Sequence, residues 1–336
     1  MAVIRPRDLL SENLLERLGG TPDTTAAFGD GGSLGAAGSG EIARTVTRDI
    51  AKLDDVGYLK SALPPEFGGL GATLRQVACG QRRVARHAPL TATAVSAHLY
   101  WTGAAADAYR AGDDSVRWIL LEAARGALFA SGHGEPGADL KFASPLSRCE
   151  LAGEMGYRFR TPAVLSSATP AWDWVAVHGI TDGSRPDAVV AFAGRGSRCT
   201  PAFRVARVLP GGAPSDVFTT SAIAWGHSLI ASVQYSDARR AFHDAVIALD
   251  RRPVVASAAH PLDQWPVAEA GLRLDAMKAK IAEVTHPWTL IPEQGPDLGG
   301  QRIIGIYTMR HEVVDGAAHV HRLVGQMAST PAVAAL

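Results

Sequence analysis

The sequence predicts an α+β chain in three consecutive parts: a helical block over residues 1–128, a small β block over 129–216 and a second helical block over 217–336. Three observations carry this. Apolar residues recur at helical spacing through the first block. From Ala127 the pattern changes to short β-type runs cut by Gly, Pro and Asp. From about Val217 helical spacing returns over long, Ala-rich stretches. A run of helices, a run of strands and a further run of helices make a layered, three-part layout.

In the first block, Leu9, Leu10, Leu14, Leu15 and Leu18 follow Asp8, a plausible helix cap. Ala27–Gly40 is rich in Gly, Ala and Ser and reads as a surface loop. Glu41–Val56 resumes an amphipathic helix with Ile42, Val46, Ile50 and Leu53 on one face. Gly57–Gly71 is a proline-then-glycine break that no helix crosses. Thr73–Ala88, Leu90–Ala111 and Ser115–Arg125 read as three further helices. In the β block, Arg158–Arg160, Ala163–Ser167, Trp174–His178 and Ala188–Phe192 read as strands, and the passage from Phe192 to Val217 reads as short and strandless. The last block reads as helices over Thr219–Leu249, Pro261–Val284 and Ile303–Met327, with a Pro/Gly-rich connection at Pro287–Gly300.

Composition narrows the function classes. The chain has 336 residues, 47% of them hydrophobic, enough for one large or two to three smaller packed units. Its 33 basic and 33 acidic residues are scattered, so no basic face for nucleic acid is formed. Cys79, Cys149 and Cys199 match neither a metal spacing nor a disulfide framework, which suggests a reducing cytosol. The N-terminal residues have no signal-peptide core, and no apolar run reaches membrane-spanning length. These readings predict a cytoplasmic protein with no nucleic acid, membrane or metal among its partners.

Two segments carry the chemistry. Phe129–Asp139, FASGHGEPGAD, enters a Gly/Pro turn, and its glycines 132, 134 and 137 let backbone N–H groups approach a flat ligand. Val164–Trp174, VLSSATPAWDW, places Ser166 and Ser167 ahead of Trp172 and Trp174. Together with Leu63–Gly71, LPPEFGGLG, with His98–Gly103 and Tyr109–Gly112, and with His260–Trp265 and Arg310–Gly325, this order of features resembles the acyl-CoA dehydrogenase superfamily. The resemblance covers most of residues 40–325. It implies a helical N-terminal domain, a small β-barrel and a C-terminal helical bundle, with FAD as cofactor and an acyl-CoA thioester as substrate.

Carried over residue by residue, the resemblance makes Glu135-Pro136-Gly137 the flavin turn. Gly134 then stands where the family has a flavin-contacting threonine. Ser131 and His133 stand at other flavin-facing positions, Ser167 takes the hydroxyl position of the second segment, and Leu165 replaces a ring-covering aromatic. The chain departs from the family in its chemistry. Abstraction of an α-proton needs a positioned carboxylate. The family places it near the start of the first bundle helix or beyond the last glycine of the final one. Trp225–Ala231, WGHSLIA, contains no acid and only one titratable group, His227, which becomes the candidate substitute base. Beyond Gly325 there is no acid either. No arginine stands in Val255–Ala259, where the family reaches a neighbouring subunit's flavin pyrophosphate, although Arg251 and Arg252 lie just upstream.

The expectation is thus an FAD-dependent acyl-CoA oxidoreductase that forms homo- or hetero-oligomers. Two alternatives stand beside it: a catalytically degenerate partner subunit paired with a paralogue, and a same-fold flavin-dependent monooxygenase. Asp237 and Asp244 read as solvent-facing, and Trp172 and Trp174 as barrel core. His311, His319 and His321 have spacings that match no helical metal pair.

Overall fold

A computed structural model of the chain describes residues 5–18, 39–133, 148–151, 157–159, 164–165, 171–195, 204–210, 216–250, 261–286 and 297–329. Two short helices, α1 (Pro6–Leu9) and α2 (Glu12–Glu16), precede α3 (Ser39–Asp55). The expected loop at 27–40 lies outside the described residues as far as 38. Ser39 and Gly40 themselves form the first turn of α3. The break at Gly57–Gly71 folds into two 3₁₀ turns, Tyr58–Lys60 and Pro65–Phe67. Gly68 has φ +79°, and a Cβ on Gly69 would stand 2.1 Å from the Leu63 carbonyl oxygen, so this turn closes back on itself.

The helix α4 (Leu74–His87) starts at a capping box in which Thr73 and Gln76 exchange hydrogen bonds. Next comes α5 (Pro89–Arg110), opened by a proline at its first position. Most of its residues are buried, Thr91, Ser96, His98 and Thr102 among them, so it is a core helix and not a surface one. A 3₁₀ turn then leads to α6 (Arg117–Ala124).

The β region is one mixed, seven-stranded sheet. Its strands are β1 (Phe129–His133), β2 (Arg148–Leu151), β3 (Tyr157–Phe159), β4 (Val164–Leu165), β5 (Trp174–Thr181), β6 (Ala188–Gly194) and β7 (Arg204–Leu209). Strand β5 is the hub. Along one edge it pairs in parallel with β1 at its start (Ser131↔Ala176) and with β2 at its end (Cys149↔Thr181). Along the other edge it runs antiparallel to β6, which pairs in turn with β7. Among the described strands no pairing closes the sheet into a barrel.

Strand β7 corrects the reading of 193–216 as strandless. Arg204 and Arg207 break its apolar alternation, and the reason for Arg207 is tertiary. It pairs with Asp113 and with Asp216 (3.0 Å) and lies 5.1 Å over the ring of Phe218. One guanidinium therefore joins the sheet to the turn before α6 and to the start of the next helix.

That helix, α7 (Val217–Asp250), packs against α4, α5, α8 (Pro261–Thr285) and α9 (Asp297–Ser329). Its apolar faces, and most of those of α9, are covered by these neighbours. The contact with α5 is close: a Cβ on Gly103 would stand 2.4 Å from the ring of Trp225. Asp237 is not solvent-facing as its spacing suggested. It is buried on α7, bonded to Arg240 at 2.8 Å and to His321 of α9 at 3.3 Å. Those partners hold its carboxyl below the usual range against the upward push of burial. Asp244 does face solvent. Among the described residues, no helix is long and apolar enough to cross a membrane, and no group of three His, Cys, Asp or Glu could hold a metal ion.

Candidate functional site

The candidate site is built on β1. Alternation along the strand sends Phe129 and Ser131 to the same side, toward α5. Phe129 is buried among His98, Trp118 and Phe192. Ser131 is 2% exposed, and its hydroxyl meets the Tyr100 hydroxyl at 2.5 Å. His98, one helical half-turn before Tyr100, donates from Nε2 to the Leu59 carbonyl (3.1 Å). Its Nδ1 accepts the Phe129 N–H (3.4 Å). The root of the strand is pinned as well: Leu128 N–H donates to Asp173 Oδ2 at 2.9 Å, and its carbonyl accepts from Asp173 and Trp174 N–H.

These environments fix protonation states. Burial pushes the Tyr100 phenol well above its ordinary range, so it stays a neutral hydroxyl at any working pH. Burial lowers His98 to about 4, although the Leu59 carbonyl and Asp173 both favour its charged form. The β1 end is thus lined by neutral groups.

Beyond Ser131, pairing passes from β5 to β4, with Gly132↔Leu165 and His133↔Val164 in antiparallel register. The structure therefore brings the two sequence segments together, as adjacent strands. It places the backbone of His133 at the tip of β1. Gly134, the turn 135–137 and Ser167 lie outside the described residues.

His227 lies on α7. It is buried inside the bundle, its ring 4.8 Å from that of Tyr307 on α9 in an edge-on arrangement. Next to it in sequence, Trp225 faces α5, where its Nε1–H donates to Asp107 Oδ2 at 2.7 Å; Arg110 donates to Oδ1 at 3.0 Å. Burial raises the Asp107 carboxyl, opposed by the hydrogen bonds from Trp225, Arg110 and Ser221. An acid therefore does touch the 225–231 segment, but it comes from α5 and both its oxygens are engaged. Sequence reasoning missed it because Asp107 and Trp225 are 118 residues apart. Tyr100 and His98 were equally invisible as partners of β1. The only available signal was a string of polar residues on an otherwise apolar helix.

The fold built from these elements is shared by several solved structures. Among solved structures the chain is similar to KijD3 in complex with FMN and dTDP-3-amino-2,3,6-trideoxy-4-keto-3-methyl-D-glucose. The TM-score is 0.68 at 19% identity, over 85% of this chain and 78% of that one. It is similar to nitrososynthase from Micromonospora carbonacea var. africana with a TM-score of 0.66 at 17% identity, over 88% and 82% of the two chains. TdsC from Paenibacillus sp. A11-2, in complex with FMN and indole, gives 0.65 at 14% identity, over 86% and 85%. No family profile matches the sequence, and no curated protein does.

Proposed function

We propose that this chain is a flavin-dependent oxidoreductase in which β1 and the turn after it hold the isoalloxazine ring, and that it works as a monooxygenase. The observation that carries the flavin reading is the grip on β1. The strand is fixed along one edge by β5 and on one face by α5, and the sequence Gly-Glu-Pro-Gly follows its tip. A rigid strand followed by a glycine-rich sequence suits a flat, hydrogen-bonding ring. The residues that would hold the ring are His133, Gly134 and Ser167, together with the backbone at Ser131. Bound flavin would supply two-electron transfer and, when reduced, activation of oxygen.

The choice between oxygenation and acyl-CoA dehydrogenation rests on the candidate bases among the described residues. A general base contributes roughly 10²–10⁴-fold, and in this chain the candidates are poor. His227 packs against Tyr307, and Asp107 is bonded through both oxygens. Oxygen insertion needs no α-proton abstraction. KijD3 and TdsC, crystallised with FMN, favour FMN over the FAD that the sequence resemblance implied.

The test is to titrate the purified protein with FMN and with FAD and to record visible absorbance. Anaerobic mixing with a panel of acyl-CoAs follows. A shifted flavin spectrum without bleaching is expected, and a Gly134→Val variant is expected to lose binding. Rapid bleaching would reinstate the acyl-CoA dehydrogenase reading, and bleaching only after a paralogue is added would make the chain a partner subunit. Failure to bind either flavin rejects the proposal outright.

Self-association is also proposed, through α8. Its inner seam, Ala270, Leu274, Met277 and Ile281, is buried, but Trp265 and Leu272 are 66% and 71% exposed, with Ala268, Ala276 and Ala279 exposed at continuing helical spacing. A second apolar seam on one helix suits a second copy of the chain. Light scattering at micromolar concentration is expected to give at least a dimer, and Leu272→Glu to reduce it. A monomeric wild-type mass would refute this.

A further inference from the structure

We propose that a second copy of this chain docks over the groove between α8 and α9, with the two α9 helices antiparallel about a two-fold axis at Ala318. This rests on the reading of the chain as self-associating. The groove holds about 600 Å³, and its walls include Arg273 and Ala276 of α8 and Glu312, Asp315 and Arg322 of α9. Its floor is a close helix crossing, where a Cβ on Gly316 would stand 2.8 Å from the Met277 sulfur. The α8 wall runs on into the exposed apolar seam, because Leu272 stands one turn before Ala276. Groove and seam are therefore one surface.

The order of charges along α9 selects the occupant. On the outer face, the acids Glu312 and Asp315 come before Ala318, and Arg322 comes after it; all four residues are exposed. Asp315 meets His311 at 3.3 Å and Arg322 meets His319 Nδ1 at 3.3 Å, both at the surface of the bundle. A two-fold interface uses the same patch on both copies, so that patch must complement itself. At a rise of 1.5 Å per residue, Asp315 and Glu312 stand about 4.5 and 9 Å to one side of Ala318, and Arg322 about 6 Å to the other. Turning the second copy end for end brings its Arg322 between Glu312 and Asp315, and the axis repeats the exchange. A parallel copy in register would set like charges together. At the axis Ala318 offers only a methyl group, so the helices can approach, and Leu272 and Ala276 leave water as they do. Exposed ion pairs alone contribute little. Here the apolar seam supplies affinity, and the charges fix direction and register.

The experiment is a charge swap read by light scattering, backed by cross-linking. One variant carries Arg322→Glu; a second carries Glu312→Lys and Asp315→Lys together. Each is expected to weaken association by at least about tenfold, because like charges then meet on both sides of the axis. Their circular dichroism is expected to match wild type, since the changed positions are exposed. An equimolar mixture of the two is expected to recover the wild-type mass, as every reversed charge then faces an opposite one. Under mild oxidation Ala318→Cys is expected to form a covalent dimer that wild type does not, its two thiols meeting at the axis. Thr308→Cys is expected not to, because ten residues set it about 15 Å from the axis and about 30 Å from its mate. Wild-type mass in both charge variants would overturn this arrangement. So would a mixture no heavier than its components, or cross-linking at Thr308→Cys and not at Ala318→Cys. If Leu272→Glu alone dissociates the protein, self-association through α8 stands and the arrangement falls; a monomeric wild type refutes both.

Discussion

Replacing Trp101 by alanine is expected to destabilise the protein by about 3–5 kcal/mol, the range for deleting a fully buried large aromatic. Trp101 has no exposed surface and belongs to α5, yet its ring lies against three other elements. It stacks on Phe218 of α7 at 5.8 Å and on His178 of β5 at 5.9 Å. It meets Phe192 of β6 edge-on at 5.0 Å. The N-terminal helices, the sheet and the bundle therefore share one side chain. Alanine would leave a cavity bordered by all three, and elements from separate parts of the chain cannot collapse on it as a single helix could. Trp101→Phe keeps most of the apolar surface and is expected to lose less than half as much. Urea unfolding followed by circular dichroism measures both. A loss in Trp101→Ala below about 1.5 kcal/mol, ordinary for point substitutions, would show that the ring does not join the three parts.

The helices were legible because their signals are local. The Thr73–Gln76 capping box, the proline opening α5 and the apolar spacing of α7 and α9 each lie within a few residues of sequence, and the structure places helices there. The strands were legible where short apolar runs are bounded by turn residues, as in β5 and β6. They were lost at β2 and β7, where Arg148, Glu150, Arg204 and Arg207 interrupt the pattern. Arg207 shows why: its aliphatic stem and charge are satisfied by Asp113, Asp216 and Phe218, partners that a periodicity argument cannot see. The same holds for Asp237. A carboxylate in a helix pattern reads as solvated, and only the fold brings His321 to it. The candidate site divides likewise. Its strand β1 was not read as one from the sequence, and the expected turn after it lies outside the described residues. Its support came from α5, through Tyr100, His98 and Asp107, because hydrogen bonds across 31 and 118 residues leave no trace in local composition. The sequence reading left the catalytic base unassigned, with His227 as a weak substitute more readily read as a core histidine. The structure sets that residue among bundle side chains and turns attention to the helix that braces β1.

Acid is expected to unfold this protein earlier than carboxylate titration would, and His98 is the cause. In the folded chain Nε2–H donates to the Leu59 carbonyl, which fixes the tautomer and leaves Nδ1 bare to accept the Phe129 N–H. A second proton would have to go to Nδ1, where it would point at another N–H in a buried site. Burial accordingly lowers the imidazole from 6.5 to about 4. The unfolded chain takes up this proton near pH 6.5 and the folded chain only near pH 4, so within that window the unfolded state binds more protons. Stability then falls as pH falls from about 6.5, and the contribution of this group levels off below about 4. The full loss is roughly 3 kcal/mol at 1.36 kcal/mol per unit. Other groups titrate on either side. Asp237, held low by Arg240 and His321, weakens the fold only as pH falls through the carboxylate range. Asp107, raised by burial, works in the opposite sense. Comparing wild type with His98→Gln removes these common terms. Glutamine can donate to the Leu59 carbonyl and accept from Phe129 N–H, but it does not titrate. Denaturant midpoints between pH 7.5 and 4 are expected to drop more steeply for wild type, with the two curves diverging below about pH 6.5. Parallel curves would mean that His98 is protonated in the folded state, and the hydrogen-bond assignment that braces β1 would be wrong.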